Sequence, residues 1–354
     1  MAYTTINKPS LHFNTKLYTG NGAVTTHTGL GFQPDWCWIK DRTQANHNNN
    51  LIDAVRAAPN IIMSDSTAAQ ITDSTDGFTA FASDGFTLGA NTSGTQSYEL
   101  NKNGNNYVAW NWKANGVGSS NSDGSITSTV SANTTAGFSI VKYTGTGSNA
   151  TIGHGLGVEP SMIIIKNLTA SRDWLVYHKQ LGNTHGIYLD LTNASTSSSG
   201  FFNNTSPTSS VFSVGTDTDA NDSSDDTIAY CFAEKKGYSK FGSYVGNGNA
   251  DGTFTYTGFK PAFLITKRTD SSSSGDWNIV DSVRNPSNVV NKYLHTNLSQ
   301  AEGTASIYDF YSNGFKIRES GAGTNASGST YVYLAFAEEP LVANVGQGIP
   351  ATAR

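Results

Sequence analysis

Apolar positions along this chain fall in short runs separated by Gly, Asn, Asp, Ser and Pro. Such runs are Trp36–Ile39, Phe78–Ala82, Phe86–Leu88, Tyr107–Trp112, Met162–Ile165, Trp174–Tyr177, Val211–Val214, Thr227–Phe232, Phe263–Ile265, Trp277–Val283 and Tyr331–Phe336. Runs of this length, rich in β-branched and aromatic residues and bounded by turn formers, predict β-strands. Long helices would need runs of Ala, Leu, Glu and Lys, and none is present. Ser83-Asp84-Gly85 and Asn313-Gly314 stand between alternating runs, so each predicts a hairpin whose central residues take positive φ.

The pattern repeats. Tyr18-Thr19-Gly20-Asn21-Gly22 is followed by Gly29-Leu30-Gly31-Phe32-Gln33-Pro34, the strand from Trp36 and Lys40. It returns as Gly145-Thr146-Gly147, Pro160, the strand from Met162 and Lys166. It returns again as Gly246-Asn247-Gly248, Pro261, Phe263–Ile265 and Lys267. A period of roughly 100 residues is too long for a solenoid unit of about 20–45 residues. It fits three related β-sandwich modules in tandem, an all-β chain. The boundaries read as an N-terminal arm (1–16), a first module (17–114), a Gly/Ser-rich linker (115–136), a second module (137–236), a third (237–340) and a tail (341–354). Within the linker, Ser125–Val130 predicts a strand.

Comparing the copies assigns faces. In the closing run, Trp110, Tyr230 and Leu334 are equivalent, as are Trp112, Phe232 and Phe336 two residues on, so they share a face. The small residues between them, Asn111, Cys231 and Ala335, face something that approaches closely. In the Pro-led strand, Trp36/Met162/Phe263 and Trp38/Ile164/Ile265 line one face, and Cys37/Ile163/Leu264 the other. Apolar on both faces, this strand is central and buried.

Charged residues make up only 14% of the 354, and the net charge is −5. That balance argues against a phosphate backbone as partner, which demands clustered Lys and Arg. No run approaches the roughly 20 apolar residues of a membrane span, and Met1–Ser10 has no apolar stretch of signal-peptide length. Cys37 and Cys231 lie in apolar strands at non-equivalent places and read as buried free thiols.

Candidate chemistry is sparse. No two of the seven histidines stand at metal-ligand spacing. The Gly-x-Gly turns lead into strands, whereas a phosphate cradle leads into a helix, so they read as β-turns. Asp217-x-Asp219-x-Asn221 echoes the start of a calcium loop, but Asp222 and Ile228 replace the Gly and Glu such a loop needs. Asp217, Asp219 and Asn221 are nonetheless the candidate calcium ligands; the leading expectation is a solvated loop with no metal or cofactor. Asp53 with Arg56, and Asp281 with Arg284, are equivalent and read as local ion pairs, with His178 in the matching region of the second copy. Neither a Gly-x-Ser-x-Gly elbow nor a Ser/His/Asp spacing points to an enzyme. Most aromatics recur at repeated core positions, so the non-repeated Tyr98, Tyr188, Tyr293 and Tyr308 are the ligand-binding candidates.

Four motifs, Tyr-Thr-Gly-x-Gly (18–22), Gly-Leu-Gly-x-x-Pro-Asp-Trp (29–36), Ser-Asp-Gly-Phe-Thr-Leu-Gly (83–89) and Tyr-Val-Ala-Trp-Asn-Trp-Lys-Ala (107–114), resemble an uncharacterised repeat family of tailed-phage virion proteins. The opening Met1–Asn7 and the closing Ala335–Glu338 are similar to the same proteins, while Pro340-Leu341-Val342 departs from their aromatic-rich ending. The resemblance implies a virion structural protein, assembled in the host cytoplasm and displayed on the particle surface. A tail fibre or appendage that adheres to the host, through a surface glycan, is the leading expectation. Its partners would be other virion proteins and further copies of itself, a trimer by analogy with phage fibres. A capsid decoration or head-fibre protein is the alternative, and a polysaccharide-degrading tailspike the third reading.

Overall fold

A computed structural model describes residues 3–92 and 98–342. It is all-β; its helices are single turns, Pro9–Leu11, Ser199–Phe202, Thr218–Asn221 and Ala322–Asn325. Each copy of the repeat builds a main sheet with the same strand order. An opening strand (Phe13–Thr19, Phe138–Thr144 or Ser239–Val245) pairs with the closing strand (Asn106–Trp112, Asp226–Phe232 or Thr330–Pro340). The closing strand pairs with the Pro-led strand (Trp36–Asp41, Met162–Asn167 or Phe259–Arg268), and that with a fourth (Asn49–Asp53, Leu175–His178 or Asn278–Asp281). A smaller outer layer covers one face of each sheet, as in the pair Ala150–Gly153 and Val211–Val214.

The alternation read from the sequence decides which way each face turns. Cys37 and Ile39, Ile163 and Ile165, and Leu264 enter three separate cores beneath the outer layers. The other faces meet in one place. Trp36, Trp38, Trp110 and Trp112 pack in a single cluster with Met162, Ile164, Tyr230 and Phe232 and with Phe263, Ile265, Leu334 and Phe336. Trp36 stacks on Tyr230 at 4.4 Å and Phe138 at 5.6 Å, and Trp112 meets Phe263 edge-on at 5.5 Å. Each copy therefore has a core of its own and a share in a common one.

Three seams close this arrangement, and each is built alike. The repeated lysine ends its strand buried and donates to backbone carbonyls of the neighbouring copy. Lys40 reaches Ser299 O in the third, Lys166 reaches Thr67 O in the first, and Lys267 reaches Thr192 O and Asn193 O in the second. Burial pulls all three ammonium groups down to about 8. The residue before the fourth strand repeats the move. Trp174 Nε1 donates to Met63 O and Ser66 O, Trp277 Nε1 to Tyr188 O, and Asn49, first of its longer strand, to His295 O and Leu298 O. The cycle is first to third, third to second, second to first.

Boundaries shift in detail. The first opening strand begins at Phe13, inside the segment read as an arm; Ile6 lies in the common core and Tyr3 donates to Gly258 O. The stretch read as a linker adds strands Ser119–Asn121 and Ser128–Asn133 to the second sheet, and Ile126 bridges Ile152. Of the tail, residues 343–354 lie outside the described residues. Both predicted hairpins form, with Ala82 opposite Gly85 and Tyr311 opposite Gly314. Their reason differs from expectation, since none of the central residues takes positive φ. A Cβ on Gly85 would stand 1.8 Å from His27 O, and one on Gly314 2.2 Å from Thr255 O. These glycines admit the neighbouring edge strand.

Candidate functional site

The Gly-x-Gly turns are held from within. A buried asparagine, equivalent in the three copies, accepts from the turn's middle N–H: Asn101 from Asn21, Asn221 from Thr146 and Asn325 from Asn247. Its amide donates to nearby carbonyls, Asn221 to Ser148 O and Gly215 O. The turns carry structure, and Asn221 is fully engaged. Asp217 caps the turn Thr218–Asn221 by accepting from Asp219 N, and Asp219 accepts from Asp173 N at 3.2 Å. The proposed calcium ligands therefore point to different tasks. Among the described residues no three His, Cys, Asp or Glu side chains are grouped to hold a metal ion.

The ion pairs are local and also reach across seams. Arg56 Nε meets Asp53 Oδ2 at 2.5 Å, and Tyr230 of the second copy donates to that oxygen at 2.8 Å. Arg284 meets Asp281 at 2.5 Å, and Trp110 of the first copy donates to it at 3.0 Å. At the third seam Leu334 has no donor, and the partner place holds His178, whose Nε2 lies 3.2 Å from Tyr333 O. These groups are buried and paired, with no access for a substrate. His47, buried between Asp41 at 2.6 Å and Glu99 at 3.8 Å, is likewise closed in.

The four tyrosines separate. Tyr308 is wholly buried in the third copy's core, its hydroxyl 2.7 Å from Thr266 Oγ1, so it is a packing residue and offers no face to a ligand. Tyr98 is half-buried beside Asp73, and Tyr188 is half-buried against Asp219. Tyr293 stands in a cleft of about 220 Å³ in the third copy, with Asp276, Asn278, His295, Ile307 and Glu319. Strand alternation places it there: Tyr293 and His295 are two apart on Val290–His295, and Ala305 and Ile307 two apart on Gly303–Tyr311.

The floor is shaped by an absence of bulk. A Cβ on Gly303 would stand 2.3 Å from the Tyr293 ring, so glycine lets the ring lie flat across the adjoining strand. His295 meets Tyr293 at 5.2 Å and 69°, with Nδ1 3.3 Å from Trp277 O. Burial lowers its pKa, against the opposing pull of Asp276, which favours the neutral ring. Asp276 accepts from Asn297 at 2.8 Å and Glu319 from Thr324 at 2.5 Å. The register makes His295 equivalent to Tyr188 and Met63, so the imidazole belongs to the third copy alone. An aromatic face, a neutral imidazole and carboxylate acceptors suit a hydroxyl-rich ligand.

A further feature escaped the sequence reading. On the edge strand Phe254–Tyr256, Phe254 is 45% and Tyr256 54% exposed. The register aligns them with Thr26 and Thr28 of the first copy, a difference that a strand-by-strand comparison would have shown.

No curated protein matches this sequence. A family model does, over residues 8–340, and the chain belongs to that family, described as a domain of unknown function (DUF7483).

Proposed function

We propose that this chain is a phage virion structural protein, a tail-fibre or appendage component that adheres to the host surface through a glycan. The cleft around Tyr293 and His295 carries the reading, because it is a polar recess in which an aromatic ring, an imidazole and carboxylates converge. Sugar rings present an apolar face to an aromatic side chain and hydroxyls to carboxylates and imidazole, and this recess offers both. The motifs of the first copy, and their resemblance to tailed-phage virion proteins, support the particle as its location. Binding without hydrolysis is the reading for the cleft, whose carboxylates, held by Asn297 and Thr324, keep further acceptor positions for sugar hydroxyls. Nucleic acid is a poor partner, because Lys40, Lys166, Lys267, Arg56 and Arg284 are all buried.

The test is binding of the purified chain to host cells and to their extracted polysaccharide. Tyr293→Ala should abolish it with the melting temperature preserved, and equal binding by parent and variant would sink the reading. Antibody labelling of intact particles places the protein. Label on the head would favour capsid decoration, the alternative, and overturn the tail assignment.

A further inference from the structure

At two equivalent places beside strand ends this repeat matches a buried carboxylate with an amide. Asn105 donates to Asp41 in the first copy, and in the second the roles exchange, Asn167 donating to Asp225. The same exchange occurs beside the fourth strand. Asn48 donates to Asp65 Oδ2 at 3.1 Å while Asn49 N donates to Asp65 Oδ1. In the third copy Asn297 donates to Asp276 at 2.8 Å and accepts from Trp277 N. Each pair holds one donor and one acceptor.

The second copy breaks the rule. Its equivalent residues are Asp173 and Asp190. Asp190 Oδ1 accepts from Trp174 N at 3.0 Å, while Asp190 Oδ2 is buried with no hydrogen-bond partner. Asp190 itself is only 9% exposed. The nearby cations hold other partners: Lys166 donates to Thr67 O, Asn167 O and Arg172 O, and Arg172 Nη2 pairs with Asp222 at 2.6 Å, its Nε being buried without a partner. The remaining charged neighbours, Asp217 and Asp219, are acidic, and Tyr188 adds only a phenol turned to Asp219. The first copy brings Met63 O and Ser66 O and the third the Trp277 indole and the Thr296 hydroxyl, all neutral, while the third copy's Lys267 ends on Thr192 O and Asn193 O.

We propose that Asp173 and Asp190 share one proton and form a pH-responsive latch at the place where the second copy meets both neighbours. The proton does the work of the missing amide hydrogen. Burial and the adjacent Asp173 raise the Asp190 pKa well above the ordinary carboxylate range. A carboxyl raised on folding stabilises the fold at low pH, and that contribution is lost as pH rises through its folded value. With both groups ionised, repulsion falls beside Trp174, whose indole spans the seam to the first copy, and beside Tyr188, whose carbonyl receives the third copy.

Two variants test this, and each recreates a pairing the chain already contains: Asp173→Asn, as in the first copy, and Asp190→Asn, as in the third. Melting temperatures of the full chain and both variants are measured from pH 5 to pH 8. The parent should lose at least about 2 °C relative to both variants across that range. At neutral pH the parent should also show the infrared carbonyl band of a protonated carboxylic acid, absent from both. Parallel pH profiles in the three proteins would overturn the proposal. So would a rise in the parent's melting temperature at pH 8 on adding calcium chloride that neither variant shows, since the missing hydrogen's place would then belong to a cation.

Discussion

If the three copies share one core, damage on one side of it must be felt on the others. Trp36→Ala is the sharpest such perturbation. Trp36 is 1% exposed and sits on the first copy's Pro-led strand. Its ring contacts are Trp112 at 4.5 Å and Trp38 at 5.7 Å in its own copy and Tyr230, Phe138 and Phe232 at 4.4, 5.6 and 5.8 Å in the second. Truncating a buried Trp to Ala costs about 3–5 kcal/mol, from lost transfer energy and the cavity left behind. With a urea m-value of about 3 kcal/mol/M for a chain of this size, the midpoint should fall by about 1–2 M. The slope should hold, because the same surface is exposed when everything unfolds together. Hydrogen exchange then localises the effect. Amides of Met162–Asn167 in the second copy should open more easily by the same free energy as those of Trp36–Asp41. Faster exchange in the first copy alone, or a transition split into two steps, would refute a common core and restore three independent sandwiches.

Four further substitutions have outcomes that follow from particular contacts. His178 is buried at the seam between the second and third copies, and burial pulls it down to about 4 from about 6.5 when unfolded; the unfolded chain binds more protons in between, so about 3 kcal/mol of stability is lost as pH falls through that window. His178→Gln should remove this acid-sensitive component from a pH series of urea midpoints. Asn221→Ala should cost about 2–3 kcal/mol, because Ser148 O and Gly215 O lose their donor in a buried turn; Gly145→Ala should cost at least as much, since its Cβ would stand 2.1 Å from Asp222 O. Lys166→Met should destabilise by about 1–3 kcal/mol, the loss at three carbonyls outweighing relief from burying the ammonium, as measured by urea denaturation.

Strand content was legible in the sequence because the face pattern of each strand is local. Trp36/Met162/Phe263 against Cys37/Ile163/Leu264 told of burial on both sides, and the structure places them on opposite faces of each copy's sheet. Where those faces lead was not legible. The seam between the first and third copies joins Arg42 to Glu302, 260 residues apart, and Lys40 to a backbone carbonyl, which any residue type can supply. A lysine after an apolar strand therefore gives no sign in the sequence that it is a seam donor. One signal was present and unread: Trp110, Tyr230 and Leu334 vary in step with Asp281, Asp53 and His178, a donor wherever the partner is a carboxylate and none where it is an imidazole. The candidate tyrosines were chosen for not repeating, which selects for divergence and not for exposure. Tyr308 diverges inside a core, Tyr293 in a cleft.

The seams explain why divergence settles where it does. Their donors are fixed side chains, the lysine and the indole or amide near the fourth strand, but most of their acceptors are main-chain carbonyls. A carbonyl survives any substitution that leaves the backbone in place, so the loops that supply it are free to change side chains. Copies can thus differ beyond the fourth strand without loosening the ring. The cleft of the third copy, its exposed Phe254 and Tyr256, and the unmatched acids of the second all lie in that outer territory or at its edge. Tyr3 and Ile6 fasten the start of the chain to the third copy and to the common core. The cleft's direction relative to that end is therefore set by the ring.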